Sequence, residues 1–172
     1  MTKGKVWKYG DNVNTDVIFP GKYTYSILEP DEMAQHALED LDPSFAKEVQ
    51  EGDVVVAGSN FGCGSSREQA ATCLKAAGVQ AVIAKSFARI FFRNAINQGL
   101  PAIECSEAVD QLEKGQEVEI DFAEGEVKTE GKVFTFSPPP ESVLRIFEAG
   151  GLIPYTKKIL EETIGIPGKC EE

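Results

Sequence analysis

Residues 58–71 read Gly-Ser-Asn-Phe-Gly-Cys-Gly-Ser-Ser-Arg-Glu-Gln-Ala-Ala and gather residue types that do chemistry. Glycines at 58, 62 and 64 let the chain turn tightly and let its backbone approach a ligand. Ser65, Ser66 and Arg67 follow directly, and helix formers come next. Such a turn can cradle a phosphate, ligate a metal, present a nucleophilic serine, or hold a carboxylate beside a base.

Spacing narrows these options. A Walker loop needs G-x-x-x-x-G-K-[ST], and no lysine follows these glycines. From Gly62 the chain reads Gly-Cys-Gly-Ser-Ser-Arg, with Arg67 where a dinucleotide fingerprint has its third glycine. The acidic residue expected about 20 positions on is replaced by Lys85-Ser86-Phe87-Ala88-Arg89. The hydrolase elbow G-x-S-x-G does not occur, and a Ser-His-Asp triad would depend on His36, the single histidine, on a distant segment.

Two local patterns compete with function. Ser65 to Glu68 and Ser66 to Gln69 both fit a capping box, and a serine cap stabilises a helix by about 1 kcal/mol. Only one serine can be the cap, so one hydroxyl stays spare. Arg67 in a first helical turn has the wrong sign for the dipole unless an anion binds there. Asn60, Gly62 and Gly64 add backbone N–H groups. Together they suggest a carboxylate site with a serine hydroxyl at hand. Ala84–Ile90 repeats the arrangement, with Lys85, a Ser86 cap and Arg89. Arg93 reads as a solvated face. Asn14-Thr15-Asp16 is a third polar cluster, by itself an ordinary Asx-turn.

The elements that must position these groups are legible around them. Residues 5–9 read as a strand. Residues 22–30 read as a loop after Pro20-Gly21, and helices are expected from Asp31 to Glu39 and from Leu41 to Val49. From Asp53 the order is clear: strand 53–58, helix 66–77 stopped by Gly78, strand 79–85, helix 86–98 stopped by Gly99, strand 100–104. That alternation predicts an α/β fold with a central, mostly parallel sheet, whose ligands sit at the carboxyl ends of the strands. A short helix over 107–114 follows. Residues 117–122, 126–130 and 132–136 read as antiparallel strands. A stiff Ser137-Pro138-Pro139-Pro140 linker leads to helices over 141–149 and 154–163.

Composition sets outer limits. The 172 residues suit a single domain, expected over 1–165 with an acidic tail at 166–172. A hydrophobic content of 42% supports a buried core, and a net charge of −11 argues against a nucleic-acid binder. Cys63, Cys73, Cys105 and Cys170 form no C-x-x-C pair, which argues against a zinc knuckle or a self-contained iron–sulfur site and favours free thiols. With no signal peptide or membrane-length apolar run, a cytoplasmic protein is expected.

Three motifs, in order, carry a resemblance: Asp11–Tyr23, Gly58–Ala71 and Ala84–Leu100. Over roughly residues 4–165 the chain resembles the 3-isopropylmalate dehydratase small-subunit family, which is the swivelling C-terminal domain of aconitase made as a separate chain. The resemblance implies a layered β/β/α swivelling domain and a large-subunit partner, as heterodimer or heterotetramer. It implies that the partner carries a [4Fe–4S] cluster and that this chain holds no metal or cofactor itself. The active site would form between the subunits and dehydrate, then rehydrate, a hydroxy diacid. Ser65 would be the base, Ser66 and Arg67 would hold substrate carboxylate oxygens, and Asp16 would orient a histidine of the large subunit. Asn60, Gly62, Gly64, Lys85 and Arg89 would support them.

The loop after Gly21 selects the substrate in this family, which places Tyr23, Thr24, Tyr25 and Ser26 at the binding site. It lacks the arginine that would meet a third carboxylate. Isopropylmalate is the expected substrate, and dimethylmalate, citramalate or citraconate, and homoaconitate types are the alternatives. Two other classes remain open: an anion-binding module without a partner, and a standalone serine hydrolase.

Overall fold

The β-branched runs form strands where their composition predicts them. The computed structural model describes residues 3–164; the expected acidic tail lies outside them. Strands β1 (Lys3–Lys8), β2 (Val54–Ala57), β3 (Ala81–Ala84) and β4 (Ala102–Glu104) pair in parallel in the order β4-β3-β2-β1. On its other edge β1 pairs antiparallel with β5 (Glu117–Asp121), and β6 (Glu126–Thr129) and β7 (Lys132–Thr135) follow. The seven-stranded sheet is thus parallel on one side of β1 and antiparallel on the other.

Each face of the parallel half is buried. On one face Trp7, Val55, Ala57, Val82 and Ala84 pack with Phe19, Met33, Leu74 and Phe91. These come from or adjoin α1 (Thr15–Ile18), α2 (Pro30–Ala34), α4 (Gln69–Ala76) and α5 (Arg89–Asn97). On the other face Val6, Val54, Val56 and Ile83 pack with Val109 and Leu112, in and just after α6 (Ser106–Gln111). Val118, Ile120, Val127 and Phe134 join the same cluster, so the antiparallel half curls over the parallel one. Burial on two faces explains why β2 and β3 are continuously apolar while β5 alternates. The remaining helices are α3 (Phe45–Glu48), α7 (Glu141–Glu148) and α8 (Leu152–Ile164).

Several expected boundaries move, each for a physical reason. The helix expected from Ser66 begins at Gln69, and its N-cap is Glu68, with no side-chain cap bond. Neither serine caps it: both lie before the N-cap position, with their main chains tied to other segments, Ser65 N–H donating to Thr15 Oγ1 and Ser66 O accepting from Asn94 Nδ2. Arg67 therefore precedes the first helical turn. Ser86 does not cap α5 either; its Oγ accepts the Asn60 N–H, and Ala88 is the N-cap. The helix expected over 31–39 ends at Ala34. Leu38 takes a left-handed φ of 56° and gives its N–H to Ile18 O. The helix expected over 41–49 shortens to four residues. The last helix starts at Leu152, with Pro154 in its first turn, where an N–H has no helical partner anyway.

Gly62 shows why the turn needs glycine twice over. Its φ is +77°, and a Cβ there would run into the Phe91 ring. Gly62→Ala combines left-handed strain with overpacking and should cost roughly 3 kcal/mol or more. Thermal melts should show a midpoint lowered by about 10 °C. An unchanged midpoint would mean that α5 shifts freely.

Candidate active site

Because β1, β2 and β3 run parallel, the segments that leave them meet at one edge of the sheet. The turn after β2 lies between the other two like a further strand. Towards the β1 segment, Gly62 N–H donates to Val13 O at 2.7 Å, Thr15 N–H to Cys63 O at 2.8 Å and Asn12 N–H to Ser59 O at 2.8 Å. Towards the β3 segment, Phe61 N–H donates to Ser86 O at 3.0 Å and Ala88 N–H to Phe61 O at 2.9 Å. The three polar clusters seen in the sequence are therefore one place.

Ser65 is its centre. Its Oγ accepts from Arg67 Nε at 2.8 Å and, at longer range, from the Arg67 main-chain N–H at 3.4 Å. Thr15 Oγ1 lies 3.0 Å from it. Thr15 is 1% exposed, and its oxygen already accepts the Ser65 N–H at 2.9 Å. Either hydroxyl can donate in the Thr15–Ser65 contact while Ser65 is protonated; once Ser65 has lost its proton, only the threonine can donate. Two Arg67 donors face this oxygen, and Thr15 adds a third when Ser65 is deprotonated, the arrangement needed to stabilise a serine alkoxide.

Arg67 ties the cluster together. Besides Ser65, its Nη1 donates to Thr24 Oγ1 at 3.2 Å, and its Nη2 pairs with Asp16 Oδ1. The guanidinium side chain is 19% exposed and the Asp16 side chain 59%. A largely enclosed fork thus holds one carboxylate already, on its more exposed side, and an incoming carboxylate presents the same chemistry. Asp16 is set by the first turn of α1, where Asn14 Oδ1 accepts the Asp16 and Val17 N–H groups. The expected Asx-turn is real, and it presents Asp16 to Arg67.

The other expected residues separate. Ser66 keeps its N–H without a hydrogen-bond partner among the described residues, and so does Gly64; both adjoin Ser65. The Asn60 and Gly62 amides are not available to a ligand, since Ser86 Oγ and Val13 O take them. Lys85 turns to Asp110, 2.5 Å away. Arg89 opens α5 at the exposed rim. In the loop, Thr24 touches Arg67 and Tyr25 stands 94% exposed. Ser26 Oγ donates back to Tyr23 O. Tyr23 packs on Phe19 and His36 and gives its hydroxyl proton to Glu39 at 3.1 Å. Thr15 is the residue that sequence reasoning missed. Its cluster was visible, but its pairing with a serine 50 residues away was not.

The described cysteines, Cys63, Cys73 and Cys105, do not gather as an iron–sulfur cluster would require. Cys73 is buried, its thiol pushed up by that burial and donated to Ile18 O and Ala70 O. Cys105 faces Thr135 O on the opposite side of the sheet. Among the described residues no three His, Cys, Asp or Glu side chains gather to hold a metal. No described helix is long and apolar enough to cross a membrane.

Comparison with known proteins points the same way. Residues 12–108 match the aconitase C-terminal domain family. The chain is 56% identical over 162 residues to a 3-isopropylmalate dehydratase small subunit from Caldicellulosiruptor bescii, covering 93% of this chain and 97% of the relative. It is 50% identical over 165 residues to an isopropylmalate/citramalate isomerase small subunit from Methanocaldococcus jannaschii, covering 95% and 98%. A crystal structure of 3-isopropylmalate dehydratase from the same organism superposes with a TM-score of 0.86 at 47% identity, covering 95% of this chain and 96% of that one. The chain belongs to the family of 3-isopropylmalate dehydratase small subunits, built on the aconitase C-terminal domain.

Proposed function

We propose that this chain is the small subunit of a hydro-lyase that converts 2-isopropylmalate to 3-isopropylmalate, a step of leucine biosynthesis, in complex with a large subunit. Family membership carries the substrate, and the Ser65–Thr15–Arg67 geometry carries the role of this subunit. Ser65 is the base. Its oxygen takes a proton from the carbon next to a substrate carboxylate, the electron pair forms the double bond, and the hydroxyl on the neighbouring carbon leaves. Rehydration returns the hydroxyl to the other carbon, and Ser65 gives the proton back. Arg67 holds a carboxylate while its Nε and N–H keep Ser65 reactive. Asp16, more exposed than the Arg67 it pairs with, would orient a histidine of the large subunit. The family resemblance implies an iron–sulfur cluster on the large subunit, and no metal-ligating group of side chains gathers among the described residues of this chain.

Thr15→Val is nearly isosteric and removes one donor from Ser65 Oγ. It should lower kcat by about 10- to 100-fold and stability by about 1–3 kcal/mol, because the Ser65 N–H loses its acceptor. Thr15→Ser should restore most of both. Equal kcat for Thr15→Val and the natural chain would remove Thr15 from the machinery.

Citramalate is the second candidate substrate. It is favoured by the polar Thr24 and Ser26 in the selecting loop and by the similarity to the Methanocaldococcus jannaschii isopropylmalate/citramalate isomerase small subunit. The deciding experiment reconstitutes the chain anaerobically with its large subunit and offers isopropylmalate, dimethylmalate, citraconate and homoaconitate in parallel. Dominant turnover of isopropylmalate supports the first assignment. Preference for a methylated diacid moves only the substrate. No turnover of any diacid by an intact complex would overturn the enzymatic role.

A further inference from the structure

The loop that carries Thr24 and Tyr25 is held from behind by a carboxylate that no motif marks. Glu39 Oε1 accepts from Lys22 Nζ at 2.8 Å and from the Tyr23 hydroxyl at 3.1 Å, and Oε2 bonds His36 Nδ1. His36 in turn stacks on Tyr23, with ring centroids 4.0 Å apart. Two consecutive loop side chains therefore end on one carboxylate. The next residue, Thr24, meets Arg67.

The backbone is shaped to deliver Glu39 there. Leu38, fully buried, sits at φ 56°, a left-handed conformation that costs a branched side chain roughly 1–3 kcal/mol. Its N–H donates to Ile18 O at 2.8 Å, at the end of the helix that presents Asp16. Strain of this kind persists only where surrounding contacts enforce it, and here it fixes the residue just before Glu39.

We propose that Glu39 is the positioning residue of the Gly21–Leu28 loop, setting where Thr24 meets Arg67 and where Tyr25 stands beside the substrate's alkyl group. The proposal rests on the diacid hydro-lyase reading for its effect on substrate choice, but not for the clamp itself. Hydrogen bonds from Lys22 and then His36 hold the Glu39 carboxyl down at about 2, against an ordinary 4.5. A depressed pKa means that its stabilisation is complete above the ordinary value and is lost only as pH falls towards 2. The clamp is therefore charged throughout the neutral range.

Two measurements on Glu39→Gln test this. In hydrogen exchange on the full chain, amides of residues 22–28 should exchange about tenfold faster while α4 and the sheet keep their protection. In the reconstituted complex, KM for isopropylmalate should rise about tenfold with kcat changed by less than about threefold. The preference for isopropylmalate over citramalate should fall by a similar factor, because the larger alkyl group leans more on the loop. Lys22→Met with Tyr23→Phe should reproduce both effects from the other side of the contact. Unchanged loop exchange would overturn the clamp. Faster loop exchange with unchanged KM and preference would overturn its role in substrate choice. Equal loss of kcat on both diacids with a general loss of protection would show a merely structural residue and overturn the proposal. A natural complex that turned over neither diacid would overturn the hydro-lyase reading, and the exchange result alone would then decide the clamp.

Discussion

Ser65→Ala should lower kcat of the reconstituted enzyme by about 10³- to 10⁴-fold, the upper range for loss of a positioned base. The chain should still fold and still bind its large subunit. Ser65 Oγ contributes bonds to Arg67 and Thr15, but no apolar contact of the core depends on it. The stability loss should therefore stay near 1 kcal/mol. The comparison that matters is kcat against thermal midpoint and complex formation, measured on the same preparations. A mutant complex with near-natural turnover would show that another group takes the proton. A mutant that loses the complex would show that Ser65 matters for assembly, and the assignment as base would lose its main support. Ser65→Cys makes a useful companion. Its larger, more acidic sulfur fits poorly between Thr15 and Arg67, so activity should not return.

Arg67→Lys should lower kcat/KM by about 10²- to 10³-fold although the charge is kept. The natural side chain addresses three partners in three directions: Ser65 through Nε, Thr24 through Nη1 and Asp16 through Nη2. A lysine has one nitrogen at the end of a flexible stem. It can meet Asp16 or a substrate carboxylate, but it cannot also donate to Ser65 from within the turn. KM should rise because the carboxylate loses a planar fork, and kcat should fall because Ser65 loses a donor. A rise in KM alone would confine Arg67 to binding. An unchanged KM with reduced kcat would confine it to activating Ser65.

Much of this site was legible before any coordinates, and the reasons differ from residue to residue. The apolar runs of β2 and β3 and the glycine-rich turn between β2 and α4 announce a parallel sheet with a ligand edge. Ser65 and Arg67 stand out because a serine pair followed by an arginine is unusual where a helix start is expected, whereas Asp16, in an ordinary Asx-turn, stands out only through the family resemblance. The capping boxes were misleading for the same local reason. Ser-x-x-Glu favours a helix start only when no distant partner competes, and here both serines lie before the N-cap, their main chains tied to Thr15 and Asn94. Thr15 itself was hidden because its value lies in a contact with Ser65 that no periodicity encodes. Glu39 was hidden more deeply. The pattern around it suggests a helix to residue 39, but the helix ends at Ala34 and a left-handed Leu38 precedes the carboxylate. Local rules read the scaffold well, and they fail where side chains from separate segments converge.

The main-chain ladder between residues 12–15 and 59–63 carries a wider consequence. It joins the segments that carry Thr15, Asp16 and Ser65, proposed to serve proton transfer, into one unit, while the exposed part of the loop proposed to meet the substrate's alkyl group lies outside it. Substitutions at the exposed Tyr25, Ser26 and Leu28 can accumulate without disturbing the ladder. A lineage built on this frame can change diet, one short segment at a time, while inheriting its chemistry intact.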